Sequence, residues 1–185
     1  ELCDLMDHEV EKVLWAYRNR SLDLRGDRRF KYILIFKNYG VSAGASLEHP
    51  HSQLIALPIV PKRVVEELRF SERYYEYRER CVFCDVMHQE IEERERIIAE
   101  NKGFVVFAPF VSRFAFEIAI YPKVHSSDFS YLQKEELVDL ARILKETLLR
   151  MKLALKDPSY NFIIHTAPID GKERADYHWH IEIMP

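Results

Sequence analysis

Tyr32-Ile33-Leu34-Ile35, whose last residue stands 14 positions before the start of His49-Pro50-His51-Ser52-Gln53, has a counterpart in Asn161-Phe162-Ile163-Ile164, which ends 14 positions before His178-Trp179-His180. A single shift of 129 residues, without a gap, carries Ile35 onto Ile164, His49 onto His178, His51 onto His180 and Gln53 onto Glu182. Two apolar strands can resemble each other by chance, but chance does not also superpose two histidine pairs. The chain therefore reads as two copies of one strand–loop–strand unit. The copies differ where chemistry would sit, because Gly40, Gly44 and Ser46 of the first loop fall opposite Ile169, Glu173 and Ala175.

Outward from the repeat, Lys31–Phe36 is apolar at both parities, as expected of a strand covered on both faces. His49–Pro58 alternates as a strand does, and Phe104–Phe110, Phe114–Tyr121, Asn161–Thr166 and Tyr177–Met184 supply four more. Met6, Val10, Val13, Leu14 and Tyr17 share one face of a helix that ends at the polar run Arg18–Arg29. Pro61 opens a charged helix to about Arg80. Leu137, Leu140, Ala141, Leu144, Leu148, Met151 and Leu155 form the stripe of the longest helix, with Ser130 and Gln133 as its capping box and Pro158 as its stop.

Of the 185 residues 48% are hydrophobic, which is enough for a core and excludes disorder as the main state. A net charge of −3 creates no global field for nucleic acid. The longest apolar runs, Leu54–Val60 and Phe104–Val111, fall far short of the ~20 residues that span a bilayer, and no cleavable signal opens the chain. The reading is a soluble, cytoplasmic protein. Two of its three cysteines form Cys81-Val-Phe-Cys84, which in a reduced compartment points to metal or redox chemistry. Cys3 reads as a small core residue and His88 as solvated helix surface.

On a strand, His49, His51 and Gln53 project from one face. Just upstream, Asn38–Ser46 is a loop whose glycines allow a phosphate to approach the backbone closely. A neutral imidazole beside such a cradle can attack phosphorus and form a labile phosphorus–nitrogen bond, which splits one transfer into two steps. The plainer alternative is a histidine pair that only hydrogen-bonds in the core.

Asn38…Gly44-Ala45-Ser46…His49-Pro50-His51-Ser52-Gln53 resembles the active-site signature of the galactose-1-phosphate uridylyltransferases of the histidine-triad superfamily, and the similarity runs on through Phe116–Pro122 and Thr166–Gly171. The resemblance implies a ping-pong enzyme. His51 would take the uridylyl group from UDP-glucose and hand it to galactose 1-phosphate, Gln53 would hydrogen-bond the phosphoryl oxygens, and Asn38, Gly44, Ala45 and Ser46 would line the phosphate site. It also implies a homodimer. Gln53, where superfamily hydrolases carry a third histidine, favours transfer over hydrolysis. A nucleoside-diphosphate-sugar phosphorylase or hydrolase, or a non-catalytic zinc-stabilised module, are the other readings.

Cys81, Cys84, His125 and His178 supply two thiolates and two imidazoles for a tetrahedral zinc, and some members of the family resembled place such a zinc in this half of the fold. A redox dithiol and free buried thiols compete with it. By the repeat, His49 should ligate a zinc in the first half, although the cysteines and histidine that would join it are not found before the first-copy helix. Other members bind metal through a glutamate and three histidines; Glu67, His165 and His180 stand at comparable positions, with Glu182 in place of the last histidine. The expected architecture is α+β, with two histidine-triad-like half units of antiparallel sheet and packed helices. The first, truncated unit covers residues 1–65 and the second 75–185. His180, the counterpart of His51, is expected to do no chemistry.

Overall fold

The computed structural model describes residues 1–47, 49–171 and 173–185. In chain order the elements are α1 (Asp7–Leu24), β1 (Tyr32–Tyr39), β2 (Gln53–Leu57), α2 (Lys62–Arg78), α3 (Val82–Glu93), β3 (Ile97–Glu100), β4 (Phe104–Phe107), β5 (Ile118–Pro122), α4 (Lys134–Leu155), β6 (Tyr160–His165) and β7 (His180–Met184). The strands form one antiparallel sheet in the order β2-β1-β6-β7-β5-β4-β3.

Helices cover both faces of the sheet, which explains strands apolar at both parities. On one face, Val10 and Leu14 of α1 and Leu137, Leu140, Leu144 and Leu148 of α4 pack on Ile33, Ile35, Phe162, Ile164, Ile181 and Ile183. On the other, Val64 and Leu68 of α2 pack against Tyr32 and Tyr177, while Met87 of α3 meets Val105, Phe107 and Tyr121. No helix among the described residues is long and apolar enough to cross a membrane.

The two copies meet at the centre of this sheet. β1 pairs with β6, and Ile35 lies directly opposite its own repeat counterpart Ile164, so a local twofold axis runs through that pair. The gapless alignment does not extend to the closing strands. Phe36 faces Gln53, whereas its counterpart His165 faces His180 and not Glu182. The second connection is two residues shorter. A slip of two keeps every side chain on its face, since the strand period is two.

Several boundaries differ from the sequence expectation for local reasons. Helix α1 continues through the polar run to Leu24, because Tyr17 and Ser21 extend the buried stripe of Val10 and Leu14 while the charged residues form its solvent face. His49–Ser52 stay outside the ladder, and β2 starts at Gln53. Residues 114–117 form an irregular turn with Phe116 at φ 62°, so β5 begins only at Ile118. The capping of α4 moves to Gln133, whose backbone N–H donates to Glu136 Oε2 at 2.8 Å, while Ser130 donates to Asp128 in the preceding 3-10 turn. The edge strand β3 is missing from the sequence reading because its few apolar residues lie among charges. Cys3 is buried and His88 exposed, as expected.

Leu144 is completely buried between α4 and the sheet. Leu144→Ala is expected to cost about 2–5 kcal/mol through lost burial and a residual cavity. Urea unfolding measures this, and a cost well under about 1 kcal/mol would contradict the packing described.

Candidate functional site

The first site is built at the sheet edge where β1 leads into β2. Odd-numbered residues of β1 face α1 and α4, so even-numbered Asn38 lies on the opposite face. The chain leaves β1 through Gly40 and a 3-10 turn, Val41–Ala43, that ends at Gly44. Both glycines take φ +81°, and a Cβ on Gly40 would fall 2.1 Å from Ser159 Oγ. These two positions require glycine for conformation and, at Gly40, for space.

The His51 ring is oriented by its neighbour. Its Nδ1 lies 3.0 Å from the His49 carbonyl oxygen. A carbonyl only accepts, so Nδ1 carries the hydrogen and Nε2 keeps its lone pair. Behind the ring, the buried Lys37 donates from Nζ to the His51 carbonyl at 3.3 Å, and Glu1 Oε2 lies 3.3 Å from the same nitrogen. Tyr160 OH in turn donates to Glu1 Oε1 at 2.7 Å. Tyr17 OH donates to Ser52 Oγ at 2.5 Å, and burial pushes that phenol up to about 12, so it stays a donor. Lys37 thus holds the His51 carbonyl and Tyr17 the Ser52 hydroxyl from the α1 side, while His51 and Gln53 occupy the other parity. His51, Gln53, Asn38 and Ala45 are half-buried, and Ser46 and Gly44 exposed. His49 is exposed beside His51, with ring centroids 5.6 Å apart. Among the described residues it belongs to no group of potential metal ligands.

Sequence reasoning missed Lys37, Tyr17 and Asn161. A single lysine inside a strand apolar at both parities signals a buried charge with a partner, and Tyr17 on a buried stripe signals a hydroxyl that must find an acceptor. For Asn161 no such signal exists.

The second cluster gathers Cys81, Cys84, His125 and His178, whose ligand atoms all lie within 4.8 Å of one another. Cys81 immediately precedes α3 and Cys84 sits in its first turn; His125 follows β5 and His178 precedes β7. Cys84 Sγ lies 3.2 Å from Nδ1 of both histidines. A tetrahedron with Zn–S near 2.3 Å and Zn–N near 2.0 Å has S···N edges of about 3.6 Å, so the donor set fits zinc with small adjustments. His125 Nε2 lies 3.2 Å from the Arg174 carbonyl, which fixes Nδ1 as the lone-pair nitrogen facing the sulfurs. Hydrogen bonding from Cys84, then from the two histidines, drives Cys81 well below the usual thiol range, while Cys84 is raised by its bond to Cys81 and by burial. One negative charge is thus already favoured, and the second awaits a cation. Burial lowers His178, whereas the bond to Cys81 raises His125.

Glu67, His165, His180 and Glu182 form a third group. His165 Nδ1 lies 3.1 Å from Glu67 Oε2 and its Nε2 3.1 Å from Glu182 Oε2. Burial pulls His165 down, but the facing carboxylates of Glu182 and Glu67 outweigh it and raise it to about 9. Glu182 resists burial through His165 and Arg113, which lies 2.5 Å away, and falls to about 2. Glu67, His165 and His180 present ligand atoms within 4.8 Å of one another, and the carboxylates facing both ring nitrogens of His165 favour its protonated form. His180 stacks on it at 4.7 Å and repeats the ring-to-carbonyl bond of His51, 3.0 Å from Nδ1 to the His178 carbonyl. Unlike His51, His180 is buried, and burial first, then the charge on His165, lowers it to about 4.

A family profile described as galactose-1-phosphate uridyl transferase, C-terminal domain, matches residues 35–185, and its N-terminal counterpart matches residues 1–61. An ADP-glucose phosphorylase of Arabidopsis thaliana is 38% identical over the whole chain and 52% of its own length. A galactose-1-phosphate uridylyltransferase of Thermotoga maritima is 35% identical over 96% of the chain and 56% of its own length. Among solved structures, the Arabidopsis phosphorylase with bound ADP-glucose superposes with a TM-score of 0.92 over 100% of this chain and 59% of that one. A uridylyltransferase structure, 36% identical, also reaches 0.92, over 99% and 57%. The chain thus spans about half the length of the curated relatives it matches. With both profiles and these relatives in agreement, the chain belongs to the galactose-1-phosphate uridyl transferase family.

Proposed function

We propose that this chain transfers a nucleotidyl group between phosphorylated sugars through His51. Nε2 attacks the α-phosphorus of UDP-glucose; the new P–N bond forms as the P–O bond to glucose 1-phosphate breaks. A phosphate oxygen of galactose 1-phosphate then attacks the same phosphorus, and the P–N electron pair returns to Nε2. The Nδ1 hydrogen stays on the His49 carbonyl throughout. While Nε2 carries the nucleotide the ring is cationic, and that carbonyl stabilises the charge. Asn38 and Gln53 donate to the phosphoryl oxygens, and Gly44, Ala45 and Ser46 line the phosphate site. The observation that carries the reading is the bond from His51 Nδ1 to the His49 carbonyl, which leaves Nε2 as the nucleophile.

A second reading, a phosphorylase that adenylylates His51 from ADP-glucose and releases the group to inorganic phosphate, is favoured by the description of the Arabidopsis relative. Both place the enzyme in the cytoplasm as a homodimer, without nucleic-acid partners. Zinc at Cys81, Cys84, His125 and His178 would tie α3 to β5 and β7 as a structural cross-link.

Incubating the full-length protein with UDP-glucose or ADP-glucose and measuring intact mass identifies the donor, and chasing the adduct with galactose 1-phosphate or phosphate identifies the acceptor. His51→Ala is expected to abolish the adduct at unchanged melting temperature; full labelling of that variant assigns the nucleophile elsewhere. Elemental analysis should find one zinc per chain, lost in the Cys81→Ser/Cys84→Ser variant and released in acid as the ligands protonate.

At the third group, the raised His165 contributes stability that is complete below its ordinary 6.5 and lost as pH rises through about 9. The depressed Glu182 contributes above its ordinary 4.5 and loses it as pH falls toward about 2. The melting-temperature gap between wild type and His165→Gln should therefore narrow as pH rises from about 6 to about 9.5. A gap constant over that range would show His165 to be neutral.

A further inference from the structure

Asn161 lies on β6 directly opposite Asn38. Its Nδ2 donates to the Ala43 carbonyl at 2.8 Å and to Asn38 Oδ1 at 2.8 Å. Because a backbone carbonyl only accepts, the atom of Asn161 facing Ala43 must be its amide nitrogen. That nitrogen has two hydrogens, and the second meets Asn38. The atom of Asn38 turned toward β6 must therefore be its oxygen. One orientation of the Asn38 amide remains, with Nδ2 turned to the loop, where a Cβ on Gly44 would lie 3.9 Å from it.

The backbone of the loop gives this amide its importance. The N–H groups of Ala43, Gly44 and Ala45 bond the carbonyls of Gly40, Val41 and Gly40 at 3.2, 3.0 and 3.1 Å. The expectation that these glycines bring backbone donors to a phosphate fails for those three groups. A phosphate seated at this turn cannot draw on those three groups, and Asn38 Nδ2, turned from β1 toward Gly44, is a side-chain donor within its reach. With the amide reversed, the same position would present an oxygen to an anion.

We propose that Asn161, a residue of the second copy, is a positioning residue that fixes the polarity of the Asn38 amide in the phosphate cradle of the first. The ligand class is the phosphoryl group of a nucleoside diphosphate sugar, so the proposal rests on His51 as nucleophile. Asn161 reaches the reacting phosphate only through Asn38. Loss of its two donors lets Asn38 sample both orientations and leaves the fold of the cradle otherwise in place.

The test is single-turnover labelling of His51 in the full-length protein, by whichever of UDP-glucose or ADP-glucose labels wild type, in N161L, N38A and the double variant. N161L is expected to slow labelling by about tenfold, the scale of one hydrogen bond to a charged group. In the N38A background the same substitution should add no more than about twofold. An equal loss in both backgrounds would show that Asn161 acts through the Ala43 loop instead, and wild-type labelling by N161L would overturn the proposal outright. Melting temperatures check folding, and N161A replaces N161L in the cycle if that variant does not fold. Labelled wild type with an unaffected N161L sinks the positioning role alone, whereas a wild type that neither donor labels sinks the proposed function and this role together.

Discussion

The antiparallel ladder between β1 and β6 is the constraint on which the molecule depends. It joins residues far apart in sequence at the middle of the sheet, with Ile35 against Ile164 at its local axis. Its odd-numbered β1 residues bury against α1 and α4, and its other face is left to α2 and the loop of the first site. The same ladder sets Asn38 against Asn161, so the pairing that closes the core also orients a side chain of the cradle.

Two copies of one device have diverged by environment. In each, a histidine ring bonds the carbonyl of the histidine two residues earlier at 3.0 Å. Around His51 the neighbours are a neutral amide, glycines and a serine, and the ring is half-buried at the sheet edge. Around His180 they are two half-buried carboxylates and the buried His165, with the Phe83 ring centroid 5.2 Å away. A phosphate would be repelled there by Glu182 and admitted only after stripping several groups of their partners. The second copy holds ion pairs around the buried His165 and a cysteine–histidine cluster in their place.

Much of this was legible in the residue pattern. The repeat, the long amphipathic α4 and the doubly covered strand at Tyr32 follow from spacing, because periodicity is a local property, whereas the grouping of Cys81, Cys84, His125 and His178, far apart in sequence, came with the family resemblance. What escaped depended on three dimensions. The slip of two residues between Gln53 and Glu182 is invisible to an alignment that conserves side-chain parity. The extension of α1 was hidden by charges that face water. The contacts of Lys37 and Asn161 exist only because β1, β6 and the 49–52 segment meet; a lone lysine in an apolar strand signals a partner but does not name it, and Asn161 gives no signal at all.

The central ladder also dictates how the chain must assemble. A ribosome releases β1 long before β6, and until then β1 has one partner, β2, and an inner edge of unpaired amides flanked by Ile33 and Ile35. A contact of such sequence separation is slow to form, because the loop entropy is lost before the pairing compensates it. During that interval the apolar strand is a template for pairing with other chains. Folding of the first half is thereby coupled to completion of the other: the 40–52 loop reaches its final geometry only when the last quarter of this sequence has been made.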